Sequence, residues 1–409
     1  MSVVCGSQSG SAFAAPTELG KIRAPAMPAQ RHIFLIPGFF GFANLGDFAY
    51  WGPVQTKLAE LLDEARMPAT LHPVRSLPTA SLRARTRCLL ETIVATCPEP
   101  DAIIHLIGHS TGGLDARLLL TPAVDLGTEI DIEAYAARVR ASVSVSTPHH
   151  GAPIASLFAS VLGRQLLRLL SVLTMATLRV GELPLSVWAE VATLFALPTS
   201  LRGATGTLAA QLYRQLLADF NEERREQVRE LLAAVERDQS LLTQLTVETM
   251  DLFNAAAGNR AGVLYGSVVT RARAPGLATV YEIGVDPVDQ AQHAIYYSLS
   301  RLATGHDFPP LDGEQARVLA EAFGEAFDDD PGDDASDGIV PTVSQPWGRV
   351  VAAARADHLD IIGHYAGDAR DGPDERHYDW LTTRSHFRAP QFRDVWQRIV
   401  SFLAEAEAA

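Results

Sequence analysis

Short apolar runs alternate with longer amphipathic stretches along most of the chain. Runs rich in branched aliphatic residues are typical of buried strands, and apolar residues repeated every three or four positions are typical of helices. In the first part of the chain these patterns predict strands at 32–36, 102–107 and 141–146, and helices at 54–66, 81–97 and 114–120. Strands that alternate with helices predict a mostly parallel sheet flanked by helices.

Residues 154–255 interrupt this alternation. They contain dense apolar residues with few strand signals, and a charged stretch at 221–237 that is typical of a solvated amphipathic helix. We therefore predict an inserted helical cap, or lid, at about 154–255. An ordinary helical subdomain without a gating role is the alternative. The strand pattern resumes at 261–269, and the chain ends in a predicted helix near 391–406.

The composition is that of a globular protein with a sizeable core. The 409 residues are 47% hydrophobic and 20% charged. Residues 1–30, rich in Ser, Ala, Gly and Pro, are predicted to be a disordered leader, and 31–409 a single domain. A formal net charge of -14 disfavours nucleic acid and anionic membranes as partners. It leaves transient adsorption to a neutral lipid surface open, because that depends on apolar area.

Cysteine usage and the leader bear on metal binding and location. The three cysteines, Cys5, Cys88 and Cys97, form no disulfide framework, and their spacing shows no zinc motif. The leader has no basic segment followed by a long apolar one, so we predict no signal peptide. No run of about 18 uncharged apolar residues predicts a transmembrane segment. Taken as written, the chain is expected in the cytoplasm.

The strongest chemical motif is Gly108-His109-Ser110-Thr111-Gly112-Gly113. It contains G-x-S-x-G, the pattern of a nucleophile elbow, between a predicted strand and a predicted helix. A nucleophilic serine needs a tight turn that exposes its hydroxyl, and small neighbours that let the backbones approach closely. We predict that Ser110 is the nucleophile of an α/β-hydrolase fold.

Two further requirements of that chemistry have candidates. A tetrahedral oxyanion needs two backbone N–H donors, which are predicted from Thr111, directly after the nucleophile, and from Phe39 in the loop at 36–42. The acid and base are expected later in the chain, in that order. Asp337 is the predicted acid and His358 the predicted base, with a strand at 349–353 between them; His364 is the rival base.

These stretches together resemble the bacterial triacylglycerol lipases of the secreted, cap-bearing type. The resemblance rests on the oxyanion segment with Tyr50-Trp51-Gly52 after it, the elbow, the acid and base segments, and 249–254, which resembles the end of the family's cap. The chain differs from the family in having Pro37 before the oxyanion glycine, in lacking a cap disulfide and a secretion signal, and in having a longer segment at 270–335.

The resemblance implies a lipase or carboxylesterase that cleaves carboxylic esters through an acyl-enzyme on Ser110. It favours long-chain acylglycerols, and it implies export, against the cytoplasmic expectation. It also implies a structural calcium ion that the chemistry does not require. Asp360 matches one ligand position and Asp286 is a candidate for another, while His364 stands where an oxygen ligand would be expected.

Two other function classes remain open from the sequence. An acyltransferase or thioesterase could use the same three residues, because the fold does not fix the acyl acceptor. A non-catalytic lipid-binding protein is also conceivable, although the intact Ser, Asp and His argue against it.

Overall fold

The computed structural model describes residues 30–39, 50–160, 238–324, 335–367 and 380–409, with helix 185–196 and single helical positions in the remainder of 161–237. The predicted leader up to residue 29, residues 40–42 of the oxyanion loop and much of the predicted cap lie outside the described residues. The described helical stretches of the predicted cap lie between the fourth and fifth strands of the sheet.

Among the described residues, six strands form one sheet in which every neighbouring pair is parallel. The strand order is β2-β1-β3-β4-β5-β6. The strands are β1 (Arg31–Ile36), β2 (Thr70–Pro73), β3 (Ile103–His109), β4 (Val139–Val145), β5 (Leu264–Arg271) and β6 (Arg349–Arg355). The predicted α/β class with a parallel sheet is therefore confirmed.

Twelve α-helices are described. They are α1 (Gly52–Glu64), α2 (Leu82–Thr96), α3 (Thr111–Leu120), α4 (Ile132–Ala136), α5 (Ile154–Phe158), α6 (Leu185–Ala196), α7 (Ser240–Gln244), α8 (Val247–Ala256), α9 (Leu277–Ile283), α10 (Pro287–Ala303), α11 (Gly313–Gly324) and α12 (Ala389–Ala408). Short 3-10 turns occur at Thr342–Ser344 and Asp360–Ile362. None of these helices has the length and apolarity needed to cross a membrane.

Both faces of the sheet are buried, which explains why its strands are continuous apolar runs. In β1, Ile33 and Leu35 belong to the core on the face covered by α1 and α12. Phe34 and Ile36 point the other way, into the core beneath α2 and α3. All four side chains are at most 1% exposed.

Local signals fix several helix starts. The Ser81 hydroxyl accepts a hydrogen bond from Ala84 N and caps α2, and Thr246 caps α8 in the same way through Thr249 N. Proline occupies the first turn of α1 and α12, where its missing N–H costs nothing.

The hydrophobic pattern did not predict β2 or the start of α3, because neither carries a strong periodic signal. The four residues of β2 lie at the sheet edge and are partly exposed, so they carry no apolar run. Helix α3 begins at Thr111, three residues before its predicted start, because Gly112 and Gly113 are packing positions and not a turn. A Cβ at Gly112 would lie 2.2 Å from Ile36 O.

Candidate active site

Ser110 lies between β3 and α3 on a strained turn. Its φ of 54° and ψ of -130° are rarely adopted by residues other than glycine. The turn also needs close backbone contacts. A Cβ at Gly38 would lie 2.4 Å from Ser110 Cβ, and one at Gly108 would lie 2.4 Å from the Gly112 backbone. The glycines therefore permit an approach that larger residues would block.

The structure brings Ser110, His358 and Asp337 together in one hydrogen-bonded chain. His358 Nε2 lies 3.0 Å from Ser110 Oγ, and His358 Nδ1 lies 2.8 Å from Asp337 Oδ2. All three residues are at most 4% exposed. Because an ionised carboxylate can only accept, Nδ1 donates to Asp337 and Nε2 is left as the acceptor for the Ser110 proton. The rival, His364, contacts the backbone O of Tyr50 at 3.3 Å.

Asp337 is held by donors to both of its oxygens. Oδ1 accepts from the backbone N–H groups of Ile339 (3.0 Å) and Val340 (2.7 Å). Oδ2 accepts from Thr270 Oγ1 at 3.0 Å in addition to His358. These donors stabilise the ionised carboxylate in a site without solvent exposure. They also fix the oxygen that faces His358.

A second chain of hydrogen bonds joins the oxyanion loop to the histidine loop. Gly38 N donates to the Tyr50 hydroxyl at 3.2 Å, and that hydroxyl is hydrogen-bonded to His109 Nδ1. His109 Nε2 lies 2.8 Å from the backbone O of His358. A carbonyl can only accept, so Nε2 carries the proton and the Tyr50 hydroxyl donates to Nδ1. The geometry fixes the tautomer of His109.

Burial keeps this second chain neutral. Desolvation holds the pKa of His109 well below its usual range, and nearby His358 adds to the effect. Burial also raises the pKa of the Tyr50 hydroxyl. Both groups therefore remain uncharged at neutral pH and act as fixed hydrogen-bond partners.

A buried ion pair is hydrogen-bonded to the start of the oxyanion loop. Arg85 Nη2 lies 2.7 Å from Asp115 Oδ2 and also donates to Pro37 O at 2.9 Å. Both charged side chains are at most 1% exposed. The pair links α2 and α3 to the residue that precedes Gly38.

The two predicted oxyanion donors line the same pocket as the triad. Phe39 and Thr111 contribute to its wall beside Ser110 and His358. The rest of the described wall is apolar: Pro148, Ala152, Ile154, Ala155, Phe158, Leu167, Leu242, Leu245, Ile339 and Val340. The pocket encloses about 40 Å³, well below the 300–1,000 Å³ that is typical of sites for drug-sized ligands.

A second aspartate, Asp357, lies next to the triad. Asp357 is 1% exposed, and its Oδ1 accepts from Leu359 N and Asp360 N, each at 2.8 Å. Burial, and to a smaller extent the charge of Asp337, raise the pKa of Asp357 to about 7. Asp357 is therefore protonated in a substantial fraction of molecules at neutral pH.

The two predicted calcium ligands are engaged in backbone hydrogen bonds. Asp286 is exposed and caps α10 by accepting from Val288 N and Asp289 N. Asp360 is buried and accepts from Asp357 N at 2.9 Å. Neither belongs to a cluster of three or more candidate ligands among the residues that the structure describes. The calcium site stays a prediction.

The supporting residues were not predicted from the sequence. Tyr50 belongs to the Tyr50-Trp51-Gly52 stretch and His109 stands at a variable position of the elbow, and neither motif indicates that the two residues are hydrogen-bonded. Arg85 and Asp115 each stand at a buried helix position among mostly apolar residues. A charged residue among apolar ones on a predicted helix is the signal that could have indicated a buried pair.

The sheet order, the elbow after β3 and a Ser–His–Asp chain that runs Ser, Asp, His along the sequence define an α/β-hydrolase fold. No protein-family model matches this sequence, and no curated protein matches it. Similar solved structures are bacterial lipases and esterases, as the sequence motifs predict.

EstA from Clostridium botulinum shares 16% identity, with 96% of this chain and 91% of that one covered and a TM-score of 0.48. Lipase 1 from Pelosinus fermentans shares 14% identity, with 91% of this chain and 99% of that one covered and a TM-score of 0.48. The Staphylococcus hyicus lipase shares 14% identity, with 93% of this chain and 96% of that one covered and a TM-score of 0.45. Similarity of this degree concerns the fold and does not itself assign a reaction.

Proposed function

We propose that this protein is a serine hydrolase that cleaves carboxylic esters through an acyl-enzyme on Ser110. The observation that carries the proposal is the buried chain from Ser110 Oγ to His358 (3.0 Å) and on to Asp337 (2.8 Å). This arrangement has the distances needed for proton transfer from a nucleophile to a base that is oriented by an acid.

In the acylation step, Ser110 Oγ attacks the ester carbonyl carbon while His358 Nε2 takes the hydroxyl proton. Asp337 holds the imidazole in the required tautomer and stabilises the imidazolium that forms. The oxyanion is stabilised by the backbone N–H groups of Phe39 and Thr111. His358 then delivers the proton to the leaving alcohol as the C–O bond breaks.

Deacylation repeats the proton transfers with water. His358 accepts a proton from the water as it attacks the acyl carbon, and returns that proton to Ser110 Oγ as the acid leaves. A second hydrogen-bonded chain runs from Gly38 through Tyr50 and His109 to the His358 backbone. It holds the oxyanion loop and the base at a fixed relative position during both steps.

The acyl group is proposed to lie in the apolar pocket beside Ser110. Its described walls include Phe158 and Leu245, and the enclosed volume of about 40 Å³ accommodates only a short acyl group. A long chain requires the helices over the pocket to move apart, which is how lids of such enzymes act. We therefore expect soluble short-chain esters to be hydrolysed without an interface, and long-chain esters to require one.

The test is hydrolysis of p-nitrophenyl acetate, butyrate, octanoate and palmitate, with Ser110→Ala beside the wild type. We expect the variant to lose at least about 10³-fold in kcat. Ser142→Ala, a buried serine in β4, is the matched control and should retain activity. Equal rates in wild type and Ser110→Ala would refute the proposal.

A competing acceptor distinguishes hydrolysis from acyl transfer. Added glycerol and added thiol are offered together with the ester, and acylated acceptors are quantified against free acid. Free acid as the main product supports the hydrolase, whereas acyl glycerol or thioester as the main product would indicate a transferase.

A further inference from the structure

A cluster of candidate metal ligands lies at the opposite end of the sheet from Ser110. His32 is the second residue of β1, and Cys97 and Glu99 lie in the loop between α2 and β3. One ligand atom from each residue lies within 4.8 Å of the other two. His32 precedes Cys97 by 65 positions and Glu99 by 67, so only folding brings it to the other two.

Two of these atoms are buried without a conventional partner. His32 is 4% exposed. Its Nε2, and Oε2 of Glu99, have no hydrogen-bond partner among the residues that the structure describes. They face each other at 3.6 Å, which is too long for a hydrogen bond. Leaving two such groups buried and unpaired is costly.

The spacing of these atoms suits a tetrahedral ion. With Zn–N and Zn–O bonds of about 2.0–2.2 Å, two ligands of a tetrahedral zinc ion are separated by about 3.4 Å. The observed 3.6 Å between His32 Nε2 and Glu99 Oε2 is close to this value. The thiol of Cys97 lies within 4.8 Å of both atoms and must move closer to complete the coordination.

The surroundings prepare the ligands. His32 Nδ1 lies 2.9 Å from His72 Nε2, so the proton can reside on Nδ1 and leave the Nε2 lone pair for a metal. His72 stacks on His32 with an interplanar angle of 9° and holds the ring in place. Arg138 Nη2 donates to Cys97 Sγ at 2.7 Å, a contact that favours the thiolate. Burial raises the pKa of this thiol, so metal binding must displace its proton.

We propose that His32, Cys97 and Glu99 form a binding site for a divalent transition metal, with zinc as the best match and water as the fourth ligand. A thiolate, an imidazole and a carboxylate are the ligands that zinc takes in proteins. The two anionic ligands balance the charge of the ion.

The site is structural and not part of the ester chemistry. His32 pairs with Ile104 in the sheet, and Ser110 follows six residues later along β3 and the turn. At about 3.3 Å per residue, the two sites are about 20 Å apart. The metal joins the start of β1 to the loop that leads into β3, so its binding stabilises the native state.

The experiment is zinc titration of the chelator-stripped, full-length protein against a chromophoric chelator, with a parallel Co²⁺ titration. We expect one zinc ion per chain and a Tm that rises with zinc concentration. We also expect a near-ultraviolet thiolate-to-cobalt charge-transfer band. Cys97→Ser should abolish the band and weaken zinc binding by more than about tenfold, since even losing an outer partner of a ligand costs 10–100-fold. Cys88→Ser, which removes a thiol within α2 and away from the cluster, is the matched control.

Glu99→Gln is the second variant, because the Glu99 side chain is 39% exposed and we expect the fold to tolerate its replacement. It should weaken zinc binding as well. Ester hydrolysis at low temperature should be the same with and without zinc. Absence of stoichiometric binding, or zinc affinity that is unchanged in both Cys97→Ser and Glu99→Gln, would overturn the proposal.

Discussion

The buried Arg85–Asp115 pair offers a quantitative test of how the structure supports the oxyanion loop. Asp115 accepts from Arg85 Nε at 3.1 Å and from Nη2 at 2.7 Å. In Asp115→Ala the guanidinium keeps its hydrogen bonds to the carbonyls of Leu77 (2.7 Å) and Pro37 (2.9 Å), but its charge is left uncompensated in a site with no exposure. Such a loss typically destabilises a protein by about 3–5 kcal/mol.

The intact pair is expected to contribute far less than that figure. Burial raises the pKa of Asp115, and Arg85 lowers it only in part. The cost of desolvating the carboxylate therefore exceeds the attraction of its partner. Replacing both residues with apolar ones of similar size, as in Arg85→Met/Asp115→Leu, should cost less than about 2 kcal/mol, because no charge is then left buried.

The assay is urea unfolding followed by tryptophan fluorescence. It compares the wild type with Asp115→Ala, and it combines Arg85→Met, Asp115→Leu and the double variant in a double-mutant cycle. The expected result is a double variant that is more stable than Asp115→Ala. A single variant that loses less than about 1 kcal/mol, or a double variant as unstable as the single, would refute the reasoning.

Three other predictions concern the site. Tyr50→Phe leaves His109 Nδ1 and Gly38 N without their buried partner, so we expect a loss of about 1–3 kcal/mol in urea unfolding and a lower kcat; unchanged stability would show that the hydroxyl does not link the loops. Burial raises the pKa of the Asp357 carboxyl in the folded protein from 3.8 to about 7, and Asp357→Asn removes this titrating group. The wild type should therefore lose stability relative to this variant, by up to about 4 kcal/mol, as pH rises from about 4 to about 7. Parallel curves of Tm against pH would contradict this. Ala155→Leu fills the pocket beside Ser110, so kcat/KM for octanoate should fall more than for acetate, and an equal fall for both esters would place the acyl group elsewhere.

Much of the fold was predictable because both faces of the sheet are buried. A strand such as β1 is then one apolar run, and its limits, Arg31–Ile36, fall within one residue of the prediction. The edge strand β2 lacks this signal, since half-exposed residues such as His72 carry no apolar pattern. Helices α9–α11 lie where the sequence indicated only an extra-long segment.

The candidate site could be predicted in its reacting groups but not in its support. Ser110, Asp337 and His358 lie in motifs whose local pattern follows from the chemistry. The contacts of Tyr50 and Arg85 arise between distant segments, and no local pattern encodes them. No local pattern predicts the metal-ligand cluster either, because His32 lies far from Cys97 and Glu99 in the sequence. The cysteine spacing alone predicts no metal site.

The most direct test of the central claim is labelling with a fluorophosphonate, which reacts with a serine only when a neighbouring base and an oxyanion hole activate it. Intact mass and peptide mapping then locate the adduct. The account predicts one phosphonyl group per chain, attached to Ser110, with labelling that is lost in His358→Ala and retained in Ser142→Ala. A protein that remains unlabelled, or an adduct on another residue, would contradict it.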